Sequence, residues 1–413
     1  MYLLNNIKNI LFPFYKEKKI REIFKILNDK NDINAMMVGG CVRNYLNKEM
    51  IGDIDIATIF TPSEIIKKFS NSKYKVIKTG IDHGTITLSR DGTNYEITTL
   101  RHDVETDGRH AKVLFTKNWH SDSDRRDFTF NAIYMDHKGK VFDPQNGIKN
   151  LREKKVKFIG DPQKRIEEDY LRILRYIRFS IHYQDFNNDE EILKIIKQNL
   201  NGITSLSKER MFNELNKIVN LDNFFTILLK KNLLEIFTTI FPECKYLNRF
   251  KGIDKNSYKK FIKSEKKLLF PLMLVDSTDN HNYFSYKYKV SNNLKEYLNF
   301  FHSNFLSAKQ NKNFFNKDLK KNIFYHGKNN IKSLAKFIFI NNKKKYLELN
   351  QILKKIENTN IPEFPITGKD LLKHGLKSGK KIGEAIKTIE KHWIENNFNL
   401  KNDQLKNLLK RYN

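Results

Sequence analysis

The rhythm of apolar and polar positions changes near residue 150 of this 413-residue chain. Between about residues 34 and 145 the apolar positions form short, β-branched runs separated by turn residues: "AMMVGG", "DIDIATIF", "KVIKTG", "GTITLSRDGTNYEITTL" and "NAIYMDHKGKVFDP". Such runs predict strands. Asp91-Gly92, lying between two alternating runs, predicts a tight hairpin, and alternation puts Glu96 on the face opposite Tyr95 and Ile97. Beyond residue 150 the period becomes helical, with few Gly or Pro until "IPEFPITGKDLLKHG" near residue 361. The opening "MYLLNNIKNILFPFYKEKKI" reads as a short amphipathic helix rather than a signal segment. The pattern therefore predicts an α+β fold, with a sheet-bearing first part followed by all-α segments.

One strand breaks the apolar rule. In "GDIDIAT" (52–58), Asp53 and Asp55 share a face while Ile54 and Ile56 point the other way. Two carboxylates so close repel, and the alternatives are that both are solvated, one in a turn and one as a cap, or that they share a divalent cation such as Mg²⁺ with a substrate phosphate. Upstream, "AMMVGGCVRNYL" runs from a strand through Gly39-Gly40 into a helical segment, where backbone N–H groups can approach a phosphate and Arg43 can hold its oxygens.

A second cluster lies in "GDPQKRIEEDYLRILRYIRF" (160–179). At helical spacing Ile166, Tyr170, Ile173 and Ile177 form the buried stripe, and Arg165, Asp169 and Arg172 gather on another face. These charges are either a solvated ion pair or a selector. Cytosine and adenine present an amino donor beside a ring-nitrogen acceptor, whereas guanine and uracil present a carbonyl beside an N–H. A fixed carboxylate next to a fixed guanidinium would accept the first pair and refuse the second.

Composition narrows the class. Lys and Arg outnumber Asp and Glu by 76 to 47, giving a formal charge of +29 and a pI near 9.7, which favours a polyanionic partner. Part of that charge reflects a Lys- and Asn-rich composition throughout. The two cysteines, Cys41 and Cys244, lack paired spacing and exclude a disulfide framework or a Cys-based zinc site, in keeping with a reducing cytoplasm. No stretch approaches 18 apolar residues, so no membrane partner is expected. "LRHDVETDGRHAKVLF" (100–115) is charged throughout and reads as a mobile loop, with His102 and His110 solvated.

"GGCVRN" with "GDIDIAT" resembles the signature of the DNA polymerase beta-type nucleotidyltransferase superfamily, in its class II tRNA nucleotidyltransferase and bacterial poly(A) polymerase branch. "RRDFTFNAI" (125–133), "DPQNG" (143–147) and the 160–179 segment are similar to three further motifs of that branch, and "ITGKDLLKHGLKSGKKIGEAI" (366–386) to its tail. The resemblance implies a nucleotidyltransferase head over 1–150, a helical neck over 151–220, a body over 221–310 and a tRNA-binding tail over 311–413. It implies two-metal nucleotidyl transfer with two Mg²⁺ ions held by Asp53 and Asp55, Glu96 as a possible third carboxylate, and a nucleotide site of Gly39, Gly40, Arg43, Arg126, Asp127, Asn131, Arg165, Asp169, Arg172, Arg175 and Arg178. The 100–115 segment resembles the flexible loop of A-adding and CCA-adding members, with Asp103, Asp107, Gly108 and Arg109 as its polar residues and Gly108 as hinge. The implied activity is addition or repair of the CCA end of tRNA from CTP and ATP, the acceptor and T arms being gripped by phosphate contacts and shape. The rival readings are an A-only or poly(A)-adding enzyme of the same branch and, further off, a non-catalytic RNA-binding protein. Asn44 and Asn150 stand where the branch usually has Asp.

Overall fold

The computed structural model describes residues 13–29, 32–78, 80–106, 111–184, 190–250, 265–342, 346–376 and 379–412. Contacts gather into two compact units, Met1–Lys245 with Ser285–Val290, and Tyr246–Phe284 with Ser291–Asn413.

The first unit is built on a mixed sheet. After a 3₁₀ turn at Phe14–Lys16 comes α1 (Lys18–Leu27); residues 1–12 of the opening helix expected from the sequence lie outside the described residues. β1 (Ala35–Val38) leads into α2 (Gly40–Leu46), and β2 (Ile54–Thr58) into α3 (Pro62–Phe69), whose Thr61 and Glu64 form a capping box. Then follow β3 (Lys75–Ile77), β4 (Thr85–Arg90), β5 (Thr93–Thr99), β6 (Arg101–Thr106), β7 (Ala111–Phe115), α4 (Trp119–Asp124), β8 (Tyr134–Met135), β9 (Val141–Phe142) and α5 (Gly147–Arg152). The seven-stranded sheet runs β3-β4-β5-β2-β1-β8-β9. Asp91 (φ 48°) and Gly92 (φ 73°) make the β4–β5 turn in the left-handed region that two-residue hairpins require.

Among the described residues only β2 and β5 pair in parallel, and their register sets Asp55 beside Glu96. Because strand faces alternate, a slip of either strand by one residue would turn its carboxylate into the core. The burial of Ile54, Ile56, Tyr95 and Ile97 on the other face fixes the register.

The 100–115 segment departs from the expected loop. β6 and β7 pair antiparallel from Arg101↔Phe115 to Thr106↔Ala111, with an irregularity between Asp103 and Glu105. Its charge masks an alternation carrying β-branched Val104 and Val113, which suits a ribbon. Asp107, Gly108, Arg109 and His110 lie outside the described residues.

Helices α6 (Pro162–Glu168), α7 (Leu171–Tyr183), α8 (Glu190–Gln198), α9 (Lys208–Val219) and α10 (Lys231–Ile240) complete the unit. An aromatic cluster joins α7 to the segment after α4: Phe128 lies 4.8 Å from Phe158 and 5.5 Å from Phe179, and Phe130 lies 4.9 Å from Phe179, ring centre to ring centre. Such pairs add to the gain from burying the rings.

The second unit is helical: α11 (Leu269–Leu274), α12 (Asn280–Lys287, whose last residues belong with the first unit), α13 (Asn292–Gln310), α14 (Leu319–Asn342), α15 (Tyr346–Asn358), α16 (Gly368–Lys373), α17 (Lys380–Glu395) and α18 (Asn402–Leu409). α14 breaks at Gly327 (φ 78°). Leu371, Ala385, Ile389, Leu405 and Leu409 form a small core for the last three helices. No described helix is long and apolar enough to cross a membrane.

Phe128→Ala would open a cavity at the centre of the aromatic cluster and should cost about 3–5 kcal/mol of the first unit's stability. A denaturant midpoint followed on that unit checks this, and a loss under about 1 kcal/mol would show that the cluster is not what binds α7 to the sheet.

Candidate active site

Gly39 ends β1 with φ 76° and ψ −131°, a conformation that only glycine adopts without strain. A Cβ there would lie 3.6 Å from Asp55 Oδ2 and 4.0 Å from Arg126 Nη1, so the backbone runs directly beside the acidic edge. About one turn into α2, Arg43 donates from Nη1 to Asn131 Oδ1 (2.6 Å) and from Nη2 to Asn44 Oδ1 (2.9 Å), and it lies 5.0 Å from the Phe179 ring centre. Asn44 in turn donates to the Met50 carbonyl (2.9 Å), so the amide keeps the polar contact without adding a charge. Asn150 likewise donates to Thr129 Oγ1 (2.9 Å).

Asp53 is exposed immediately before β2, and Asp55, on the strand, is half-buried. Burial pushes the Asp55 carboxyl up to about 6, with Glu96 and Asp53 adding to the rise and Arg126 opposing it. The site thus holds more negative charge than its own guanidinium neutralises. Among the described residues no three His, Cys, Asp or Glu side chains form a group able to hold a metal ion. The donor set therefore fits a hard cation that takes two carboxylates here and completes its octahedron from water and a polyphosphate, as Mg²⁺ does, and does not fit one needing a full protein cage.

Beside this edge stands a buried ion-pair network. Asp122 on α4 accepts from Arg125 Nε (2.9 Å), Arg126 Nη2 (2.9 Å) and the Tyr134 hydroxyl (2.7 Å). Burial works against its ionisation, but Arg126 and Arg125 outweigh it and hold the carboxyl well below the usual range. Asp127 accepts from the Phe128 N–H (2.8 Å) and Asn131 Nδ2 (2.9 Å), and Arg175 lies 2.8 Å from its second oxygen. It too is held low despite burial, by Arg175 first and those hydrogen bonds next.

The helix read as continuous through Asp169 is in fact two. α6 stops at Glu168, Asp169 is extended (φ −155°, ψ 102°) and α7 begins at Leu171. The Asp169 carboxylate competes with the helix for a backbone donor, accepting the Leu171 N–H at 3.1 Å. Its other oxygen lies 2.8 Å from Arg210 Nη2 on α9. Arg172 pairs with Glu168 (2.6 Å), which also holds Arg165 (2.5 Å). Arg165 donates to the carbonyls of Arg125 (2.5 Å) and Arg126 (2.6 Å), tying α6 to the "RRD" turn. Ile166, Ile173 and Ile177 are buried as expected, whereas Tyr170 is only half-buried because the break moves it off the stripe. Arg178 pairs with Glu214 (2.8 Å).

These elements enclose one cavity of about 830 Å³. Gly39, Gly40, Arg43, Asp53, Asp55, Glu96, Arg126, Asp127, Asn131, Asp169, Arg172, Arg175 and Arg178 all line it. Arg165 does not, and acts on the wall from behind. Asp103 falls on β6. Arg125, the first residue of the "RRD" motif, also lines the cavity, as do His83, Thr85, Thr98, Arg101 and Glu168, which the sequence reading did not assign to the site. Glu168 could have been found from its place between Arg165 and Arg172. Arg101 and Arg210 gave no local signal.

Comparison with known proteins agrees along the whole chain. Residues 35–157 match the Poly A polymerase head domain family, 185–247 an RNA and SrmB-binding region of polymerase A, and 260–409 a tRNA nucleotidyltransferase domain 2 family. The mitochondrial CCA tRNA nucleotidyltransferase 1 of Mus musculus is 32% identical over 408 residues, covering 95% of this chain and 89% of the relative. The CCA-adding enzyme of Staphylococcus haemolyticus is 32% identical over 399 residues, covering 92% and 94%. The solved CCA-adding enzyme of Bacillus stearothermophilus in complex with CTP shares the fold, with a TM-score of 0.71 at 23% identity, over 96% of this chain and 98% of that one.

Asp122, Asp127 and Glu214 all have carboxyls held below their ordinary values. The unfolded chain therefore binds more protons than the folded one. Their contribution to stability is fully present above the ordinary carboxylate range of about 4 and is lost as pH falls toward the folded values. The denaturant midpoint of the first unit should drop steeply below about pH 4, and Asp122→Asn should flatten that slope. An unchanged slope in the variant would contradict the network's role.

Proposed function

This chain belongs to the tRNA nucleotidyltransferase family of CCA-adding enzymes, and on that premise we propose how its cavity does the work. The reaction is template-independent addition or repair of the 3′-terminal CCA of tRNA, in which a terminal hydroxyl attacks the α-phosphate of CTP or ATP and pyrophosphate leaves. The observation that carries the residue assignment is the meeting, in one cavity, of the Asp55–Glu96 edge, the Gly39–Arg43 turn and the Asp169–Arg172 turn.

Asp53 and Asp55 would hold divalent metal, which we assign as Mg²⁺, with Glu96 as a further carboxylate on the neighbouring strand. When bound, the metal lowers the pKa of the attacking hydroxyl and takes up charge on the leaving group. The chain's own residues bind and orient. Arg43 is held by the neutral amides of Asn131 and Asn44 and so keeps its charge for the triphosphate, where its fork can engage two oxygens. Arg126 stands on the same side with its geometry set by Asp122. Asp127, fixed by Asn131 and Arg175, is the acceptor for a ribose hydroxyl.

Asp169 and Arg172 supply the acceptor and donor that admit cytosine and adenine. One pair must serve two bases of different size, so something beside it moves between steps. The β6–β7 ribbon, anchored at the cavity rim by Arg101, is the segment we assign to that change. The chain from 151 onward we divide into a neck to 220, a body to 310 and a tail, which grip tRNA through phosphates and account for the basic excess. Two buried free thiols, Cys41 and Cys244, support a cytoplasmic setting.

The direct test incubates tRNA lacking CCA with Mg²⁺ and CTP, ATP or both, and sizes the products to the nucleotide. The wild-type chain should add C, C and A. Asp53→Asn and Asp55→Asn should each lower both additions by more than about 1,000-fold while leaving tRNA affinity unchanged; substantial turnover in either variant would sink the metal assignment. Replacing Thr106 to His110 by a Gly-Ser linker should spare CC addition and cut A addition by about 100-fold or more, and an equal fall in both would mean that the ribbon is only structural.

A further inference from the structure

The turn that carries Asp169 is held from outside the cavity. Neither Tyr170, Asn199, Gly202 nor Arg210 lines it, yet residues 199–210 touch the α6–α7 break at three points. Asn199 Nδ2 donates to Gln163 Oε1 on α6 (3.0 Å). Gly202, in the 3₁₀ turn Leu200–Ser205, lies so close to the Tyr170 ring that a Cβ would sit 2.0–2.3 Å from its atoms. Arg210, at the start of α9, meets the Asp169 carboxylate at 2.8 Å.

The contacts act in different ways. Gly202 sets how near the 3₁₀ turn comes to the residue next to Asp169, and only hydrogen fits between them. Arg210 takes one Asp169 oxygen while the Leu171 N–H takes the other, which fixes the plane of the carboxylate. A hydrogen bond weakens steeply as its geometry is lost, and a selecting site must hold its groups within about 0.5 Å of the productive arrangement. The accuracy of the Asp169 acceptor is therefore set by a segment that never touches the nucleotide.

We propose that residues 199–210 are a splint for nucleotide choice, with Gly202 and Arg210 as positioning residues acting through Tyr170 and Asp169. The proposal rests on the reading that Asp169 and Arg172 select the base. A methyl group at Gly202 forces the Tyr170 ring to move and carries Asp169 with it, while Asp55 and Glu96 on the sheet, and Asp53 just before β2, are untouched.

The experiment uses the full chain on tRNA lacking CCA and compares kcat/KM for CTP with that for UTP, and for ATP with GTP on tRNA ending in CC. Gly202→Ala and Arg210→Gln should each lower these preferences by about tenfold or more, mainly by raising kcat/KM for the wrong nucleotide relative to the right one. Arg210→Lys should restore part of the loss. In a Tyr170→Ala background, adding Gly202→Ala should change the preference less than about twofold, because the ring it displaces is gone. Thermal midpoints identify any variant that fails to fold, and the half-exposed Arg210 keeps the test available if Gly202→Ala does. Asp169→Asn separates the two claims. If it loses the preference while folded Gly202→Ala and Arg210→Gln keep it, the splint is overturned and the selector stands; if Asp169→Asn keeps the preference, the selector reading fails and the splint with it.

Discussion

The parallel pairing of β2 with β5 places Asp55 beside Glu96, and the repulsion between them is the constraint around which the first unit is arranged. Burial is the first cause of the raised Asp55 carboxyl, and Glu96 beside it adds to the rise, so the edge costs stability. A fold selected for stability alone would place an apolar or neutral residue at one of those positions. Here the apolar face of the same two strands, with Ile54, Ile56, Tyr95 and Ile97, is buried firmly enough to keep the register and hold the carboxylates side by side.

Positive charge around that edge is supplied in fixed form. Arg125 and Arg126 are held by Asp122, Arg172 by Glu168, Arg175 by Asp127 and Arg178 by Glu214. Each of these pairs forms before a nucleotide arrives, so the guanidiniums need not be ordered when it binds. Arg43 is the contrast, being held by neutral amides. The arrangement concentrates preset geometry on the base and the ribose and leaves the free charge toward the phosphates.

The legible part of this design was whatever depends on neighbours in the chain. The β4 and β5 strands and the Asp91-Gly92 hairpin follow from alternation and turn chemistry, and the structure has them as read; Asp53 falls just before β2 and reaches the same cavity as Asp55. The break between α6 and α7 was not legible, because "RIEEDYLRI" keeps a helical period, and the local bond from the Leu171 N–H to Asp169 is joined by tertiary contacts of Asp169 with Arg210 and Tyr170 with Gly202 that the sequence does not show. The β6–β7 ribbon was hidden for the opposite reason, since its charges obscured a weak alternation. Asp122 and Arg101, 21 residues apart, meet only after the sheet forms, Asp122 accepting the Arg101 N–H at 3.3 Å.

The central claim is that the acidic edge is incomplete by itself and is completed by metal and nucleotide together. Calorimetric titration of CTP with and without Mg²⁺, and of Mg²⁺ with and without CTP, tests it in the absence of tRNA. Linkage requires the two couplings to be equal. The account predicts weak Mg²⁺ binding alone and a mutual strengthening of about tenfold or more that disappears in Asp55→Asn. Mg²⁺ that binds tightly without nucleotide, or CTP affinity indifferent to Mg²⁺, would contradict it.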